Sequence, residues 1–232
     1  MTQQVGVIIV AAGTGSRTGS AELKQFRWVA GKPMLLHSVQ AFHARADVAM
    51  VVCVLPRDVL GDPPPWLFQC DTERLLLAHG GRTRGESVLN GLEDLPSEAR
   101  IVLVHDAARP LVSDDTIERV ITQARKGTGA VAALPVVDTL KEVGEDGRIV
   151  RTVERSRLWR AQTPQGFPRD MLERAYAEAR ANDGALDATD DAALCERSGF
   201  PVVVVRGSER ALKITEESDF ARAESLSGLP DA

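Results

Sequence analysis

No apolar run in the 232-residue chain approaches the roughly 20 residues of a membrane-spanning helix, which excludes a helical membrane protein. The three cysteines, Cys53, Cys70 and Cys195, are odd in number, far apart and form no C-x-x-C pair. A disulfide framework is thereby excluded, and buried reduced thiols in a cytoplasmic protein are expected. An apolar stretch begins already at Val5, so no signal or transit peptide is expected. Positive charge is in deficit: 28 Lys and Arg stand against 33 Asp and Glu, a net charge of −5. That balance argues against a nucleic-acid binder, and any anion site must be a local basic cluster. There is no internal repeat and no low-complexity tract. No G-x-S-x-G elbow and no reactive-cysteine setting is present, so no covalent intermediate is expected. The length suits one α/β domain over residues 1–232 and leaves no room for a second catalytic domain.

What is present starts at the N-terminus. Val5 to Ala11 is apolar and rich in β-branched residues, which predicts a buried strand of a parallel sheet. Ala12-Gly13-Thr14-Gly15-Ser16 then bares the backbone, and Arg17 and Lys24 follow. Small residues let successive N–H groups approach an anion. The arrangement predicts a polyphosphate site at the strand's carboxyl end. It is not a dinucleotide fingerprint, because Thr18 occupies the third glycine position and no acidic ribose reader follows. It is not a P-loop, because no Lys-Ser or Lys-Thr follows the last glycine.

Further along, Pro33 opens a helix with an apolar stripe at Leu35, Leu36, Val39 and Phe42. Strands are predicted at Val48–Leu55, 75–78, 101–105, 129–135 and 202–205. Gly80-Gly81-Arg82-Thr83-Arg84-Gly85-Glu86-Ser87-Val88 leads into a helix read as starting at Ser87, with Ser87 a candidate cap. His105-Asp106-Ala107-Ala108-Arg109 ends the third long strand, where open α/β sheets bind ligands. Asp106 is a candidate ligand contact or a cap for the next turn, and His105 is a poor candidate for a general base. Ser113 caps a helix running to Lys126. Segments 138–143 and 148–153 flank Gly-Glu-Asp-Gly147, which predicts a β-hairpin that must pack on something, since isolated hairpins are marginal. Helices are predicted at 168–181, after Thr189-Asp190, and at 216–226.

These segments resemble known proteins. The first is similar to the A-A-G-x-G-x-R…K-Q signature of nucleotidyltransferases. G-G-x-x-R-x-x-S-V, V-H-D-A-A-R-P, A-x-T-P-Q-x-F, T-D-[DE]-A and x-K-[IV]-T, here ending at Lys213-Ile214-Thr215, resemble the 2-C-methyl-D-erythritol 4-phosphate cytidylyltransferase family. The ordered set covers Val5 to Thr215, and Leu158 to Phe167, which carries A-x-T-P-Q-x-F, resembles a loop of the family. It departs from the family at Arg82, where some members are acidic, and at Glu22-Leu23, which lacks the usual proline before the lysine.

The resemblance implies an α/β fold: a Rossmann-like nucleotidyltransferase (GT-A-like) three-layer sandwich, with a mostly parallel sheet and a protruding β-hairpin arm over residues 136–157. It implies transfer of CMP from CTP to 2-C-methyl-D-erythritol 4-phosphate with release of pyrophosphate. Arg17, Lys24 and Lys213 would be catalytic cations. Ala11, Ala12, Gly13, Thr14, Gly15, Gly81, Arg82, Ser87, Asp106 and Ala107 would hold CTP, with the glycine backbone and Ser87 reading cytosine. Asp106, Arg109, Thr139, Arg155, Thr163, Thr189 and Lys213 would hold the acceptor. Thr139 and Arg155 would reach it from a partner's arm in a homodimer. Mg²⁺ would be held mainly by the CTP phosphates, with Asp106 the one candidate protein ligand. A cytidylyltransferase for another polyol phosphate, such as ribitol 5-phosphate, and a CTP-binding regulatory protein without turnover are the rival readings.

Overall fold

The computed structural model describes residues 3–13, 23–182, 186 and 188–229. In chain order the elements are β1 (Val5–Val10), β2 (Trp28–Val29), β3 (Lys32–Pro33), α1 (Met34–His43), β4 (Val48–Leu55), α2 (Arg57–Leu60), β5 (Leu75–His79), α3 (Arg84–Glu93), β6 (Ile101–Asp106), α4 (Asp114–Ala124) and β7 (Gly129–Pro135). They continue with β8 (Leu140–Val143), β9 (Ile149–Val153), β10 (Trp159–Pro168), α5 (Arg169–Ala181), α6 (Asp191–Arg197), β11 (Val202–Arg206) and α7 (Glu217–Ser227).

Seven strands form one sheet in the order β11-β7-β10-β6-β1-β4-β5. Only β10 runs against its neighbours; the other pairings are parallel. The run Val5-Gly-Val-Ile-Ile-Val10 is apolar throughout because both faces of its strand are covered. Val5, Val7 and Ile9 pack with Leu35, Val39 and Phe42 of α1 and with Ile117, Val120 and Ile121 of α4. Ile8 points the other way, into a layer shared with Val88 and Leu92 of α3 and with Leu172 and Tyr176 of α5. The period-2 alternation of a strand thus divides one hydrophobic run between two cores and gives three layers.

Three sequence expectations change. The helix after Gly81 begins at Arg84, not Ser87, because Thr83 is its cap: the Thr83 hydroxyl accepts from the Glu86 N–H. The pattern Thr-x-x-Glu carried that signal. Segment 158–167, a loop by the resemblance, forms the central strand β10 from Trp159 onward. Proline and glycine argue against a central strand, but Pro164 falls in the register break between Ala161 and Gln165, where no ladder bond to β7 is needed. The carboxylate of Asp106 does not cap the following turn; it points to Arg84 and Lys213.

The hairpin forms as expected. β8 and β9 pair only with each other as a two-stranded sheet. Val143, Ile149 and Val150 on it are 57%, 63% and 65% exposed.

Candidate functional site

The carboxyl ends of β1, β5 and β6 open on one side of the sheet, and their loops are tied together by backbone bonds. The Ala11 N–H donates to the Val54 carbonyl, Gly80 N–H to Leu55, and Ala107 N–H to Val10. A cleft of about 490 Å³ lies over these ends, lined by Ala11, Ala12, Gly13, Lys24, Gly81, Arg82, Ser87, Asp106, Ala107 and Lys213 among others. Ten of the residues singled out from sequence therefore meet in one place, although they come from four segments spread over the chain. Thr14, Gly15 and Arg17 lie outside the described residues.

The glycine pair permits close approach of two loops. A Cβ on Gly80 would stand 2.3 Å from the Ala12 Cβ, and one on Gly81 would stand 2.2 Å from the Glu86 Cβ. Ser87 is buried; its hydroxyl accepts from the Gly81 N–H at 3.0 Å and donates to the Thr83 carbonyl at 2.9 Å. Arg82 is outermost and pairs with Glu86.

Charge concentrates at the end of β6. Lys213 Nζ donates to Asp106 Oδ2 at 2.8 Å, and Arg84 approaches Asp106 Oδ1 at 3.4 Å. Burial would raise the Asp106 pKa, but the charges of Arg84 and Lys213 outweigh it and hold the carboxyl well below the usual carboxylate range. Asp106 is therefore an anion at neutral pH. Lys24 reaches the same side from the 3₁₀ turn Lys24–Phe26, with its Nζ donating to the Ile214 carbonyl at 2.8 Å. Gln25 secures that turn to the sheet by donating to the Ala11 carbonyl at 2.7 Å.

A second cavity, of about 580 Å³, adjoins the first and is lined by Arg109, Arg160, Gln162, Glu209, Leu212 and Lys213 among others. Lys213 lines both. Arg109 is buried, with its Nη1 donating to the Ala211 carbonyl at 2.7 Å and its Nη2 to the Ala161 carbonyl at 3.3 Å.

Other predicted site residues lie elsewhere. Thr163 does not line either cavity. It is buried behind β6, its hydroxyl accepting from the Asp106 N–H at 3.0 Å and bonded to His105 Nδ1 at 3.1 Å. Thr189 is exposed just before α6, whose cap is Asp190. Thr139 and Arg155 are exposed at the base of the hairpin, where Arg155 bonds the Val137 carbonyl. His105 is fully buried, and burial lowers its pKa to about 4, so it is neutral and has no access to a reacting group.

Arg84, Tyr176 and Asp191 were missed. Arg84 Nη1 donates to Asp191 Oδ2 at 2.8 Å, and the Tyr176 hydroxyl donates to Asp191 Oδ1 at 2.6 Å. Arg84 stood in the G-G-x-x-R segment, but nothing in the sequence linked it to a residue 107 positions away.

No group of three or more His, Cys, Asp or Glu side chains able to hold a metal exists among the described residues. Among the described residues Asp106 is the carboxylate that lines the first cleft, and an oxygen-seeking cation carried on phosphates would take it as a ligand. No helix among the described residues is long and apolar enough to cross a membrane.

Comparison with known proteins bears on the family and the fold. The IspD family model, 2-C-methyl-D-erythritol 4-phosphate cytidylyltransferase, matches residues 5–228. The Streptomyces coelicolor protein of that name is 44% identical over 233 residues, covering 96% of this chain and 84% of the relative. The bifunctional enzyme IspD/IspF of Desulfotalea psychrophila is 40% identical over 95% of this chain, which spans only 56% of that longer protein. The crystal structure of the Thermus thermophilus cytidylyltransferase superposes with a TM-score of 0.81 at 38% identity, covering 97% of this chain and 100% of that one. On a family match that takes in both the glycine loops and Lys213, this chain belongs to the 2-C-methyl-D-erythritol 4-phosphate cytidylyltransferase family, the nucleotidyltransferases of isoprenoid biosynthesis.

Proposed function

We propose that this chain moves CMP from CTP to 2-C-methyl-D-erythritol 4-phosphate with CTP in the first cleft and the acceptor phosphate entering at its Lys213 end, beside Arg109. The observation that carries this reading is that Lys213 lines both cavities. An acceptor phosphate oxygen attacks the α-phosphorus in line and forms the new P–O bond. The bond to the bridging oxygen breaks, and pyrophosphate leaves with its electron pair. Both reactants are anions, so the barrier is repulsion and charge build-up at the α-phosphate. Positioning and fixed cations are what the protein has to supply. Lys24 and Lys213 supply two of the charges and Arg17 a third. No general base is required, because a phosphomonoester is already an anion at neutral pH.

The backbone at Gly81 and the hydroxyl of Ser87 face the base. Asp106, Arg109 and Lys213 form the acceptor's surroundings, with Thr163 acting through the backbone of Asp106; Thr189 lies outside both cavities and has no part in them. Thr139 and Arg155 reach the acceptor from a second copy, whose arm the exposed apolar hairpin residues would hook. Mg²⁺ would lie on the triphosphate next to Asp106 and offset phosphate charge. A cytoplasmic location belongs to the same reading, supported by the free thiols of Cys53, Cys70 and Cys195.

The test is pyrophosphate release from CTP, Mg²⁺ and 2-C-methyl-D-erythritol 4-phosphate, run beside ribitol 5-phosphate and against ATP, GTP and UTP. Release confined to CTP with the methylerythritol phosphate is expected. Release with ribitol phosphate instead would reassign the acceptor. CTP binding without any release would reassign the protein to a regulatory class.

A further inference from the structure

We infer that Arg84 is a positioning residue for the transfer: anchored by Asp191 and Tyr176, it holds Asp106 where that carboxylate sets the stance of Lys213. The inference rests on the proposed role of Lys213 in catalysis. Five side chains form one line, Tyr176–Asp191–Arg84–Asp106–Lys213, running from α5 through α6 and α3 to the end of β6 and the loop after β11. Its members alternate in charge, with two carboxylates and two cations behind a neutral phenol.

The contacts are unequal. Arg84 gives Asp191 a firm bond at 2.8 Å, but its Nε and Nη2 stand 3.4 and 3.5 Å from Asp106 Oδ1, at the edge of hydrogen-bonding range. The Asp191 side chain has no exposed surface, and Tyr176 takes its other oxygen. Arg84 is thus fixed from behind and lends Asp106 charge without claiming its second oxygen. That second oxygen, Oδ2, is the one Lys213 contacts. Burial would lower the Arg84 pKa, but Asp191 and Asp106 outweigh it, so the cation is permanent. Burial and the neighbouring Asp191 both raise the Tyr176 pKa, so the phenol stays a donor.

Without Arg84, Asp191 would lose its cation, and Asp106 would keep Lys213 as its hydrogen-bonded cation with the charge of Arg109 nearby. Asp106 would then hold Lys213 more tightly and oppose its turn toward the phosphates as their charge builds. Arg84 also lines the first cleft, but the Gly81 N–H, Ser87 hydroxyl and Thr83 carbonyl bond one another without it, so the loss should appear in kcat more than in nucleotide affinity.

The experiment measures kcat, both KM values and CTP binding by calorimetry for Arg84→Gln, Arg84→Lys and Tyr176→Phe, each alone and with Lys213→Gln. For Arg84→Gln a fall in kcat of about tenfold is expected, the scale for removing a group that orients a site residue. The CTP Kd should stay within about twofold, and Arg84→Lys should recover part of the loss. In the Lys213→Gln background the same change should alter kcat by less than about twofold, since the effect passes through Lys213. An equal fall in both backgrounds, or a lower melting temperature with unchanged kcat, overturns the inference and leaves Arg84 a clamp between α3 and α6. Should Arg84→Gln not fold, Tyr176→Phe decides by the same comparison: a kcat loss of about threefold that vanishes in the Lys213→Gln background supports the inference, and a loss that persists there overturns it. Full kcat in Lys213→Gln alone would instead strike the role of Lys213, which separates the two failures.

Discussion

Lys24 and Lys213 arrive at the cleft from opposite ends of the chain, and each is already held: Lys24 by the Ile214 carbonyl and Lys213 by Asp106, both at 2.8 Å. Cations already placed at the cleft need only a short turn toward the phosphates as charge develops, which is how pre-positioned groups lower a barrier in a site partly closed to water. Lys24→Ala is expected to lower kcat by about 10²–10³, the scale for losing one preorganised donor to transition-state charge. Steady-state kinetics on folded protein checks this, and a loss under about threefold would remove Lys24 from the catalytic set. Lys24, Lys213 and Asp106 were all legible as motif residues. Their pairing was not: Lys213 and Asp106 are 107 positions apart, and a carboxylate at a strand end reads equally well as a cap. For Ser87 the cap reading was wrong, since Thr83 caps α3 and Ser87 bonds the loop ahead of it.

At the scale of the element, β6 matters most. It is buried from Ile101 to Asp106, and its last two residues differ in function although they are adjacent. Alternation sends His105 into the core, edge-to-face with Phe42 at 5.1 Å, and leaves Asp106 at the cleft. His105 carries a pH consequence. Its folded pKa is about 4, lowered by burial, against about 6.5 in an unfolded chain. Between those values the unfolded state binds more protons, so stability falls as pH drops from about 6.5 to 4 and is fully present above. The linkage amounts to about 3 kcal/mol at most. The midpoint of urea unfolding should therefore decline from pH 7 to pH 5, and His105→Gln should flatten that decline. An unchanged slope in the variant would place the acid sensitivity elsewhere. Among the strands of the seven-stranded sheet, β10 is the one that was not legible. Its polar, proline-containing stretch lacks any strand periodicity, and only its position between β6 and β7 makes it a strand.

At the scale of the whole molecule, the hairpin stands apart from the sheet that carries everything else. Two short strands with exposed Val143, Ile149 and Val150 bury too little to be stable alone. A second copy covering them is part of the proposal. Val150→Asp is expected to shift sedimentation toward monomer and to raise the KM for the acceptor more than that for CTP. Arg155→Ala should show the same KM asymmetry without dissociation. Equal changes in both KM values would remove Arg155 from the acceptor site. If Val150→Asp leaves the sedimentation coefficient unaltered, the arm is not the contact.

By itself the sequence determined the layered α/β fold, the glycine loops at strand ends and the cations around them. Apolar runs, caps and turn residues act over a few neighbours, so their physics is local and can be read along the chain. Tertiary structure alone decided which of those residues meet. It inserted β10 against its own propensity, turned Thr163 behind Asp106 and set Arg84 against Asp191. Those outcomes depend on long-range packing and on charges shared between distant segments, and neither leaves a periodic trace in sequence.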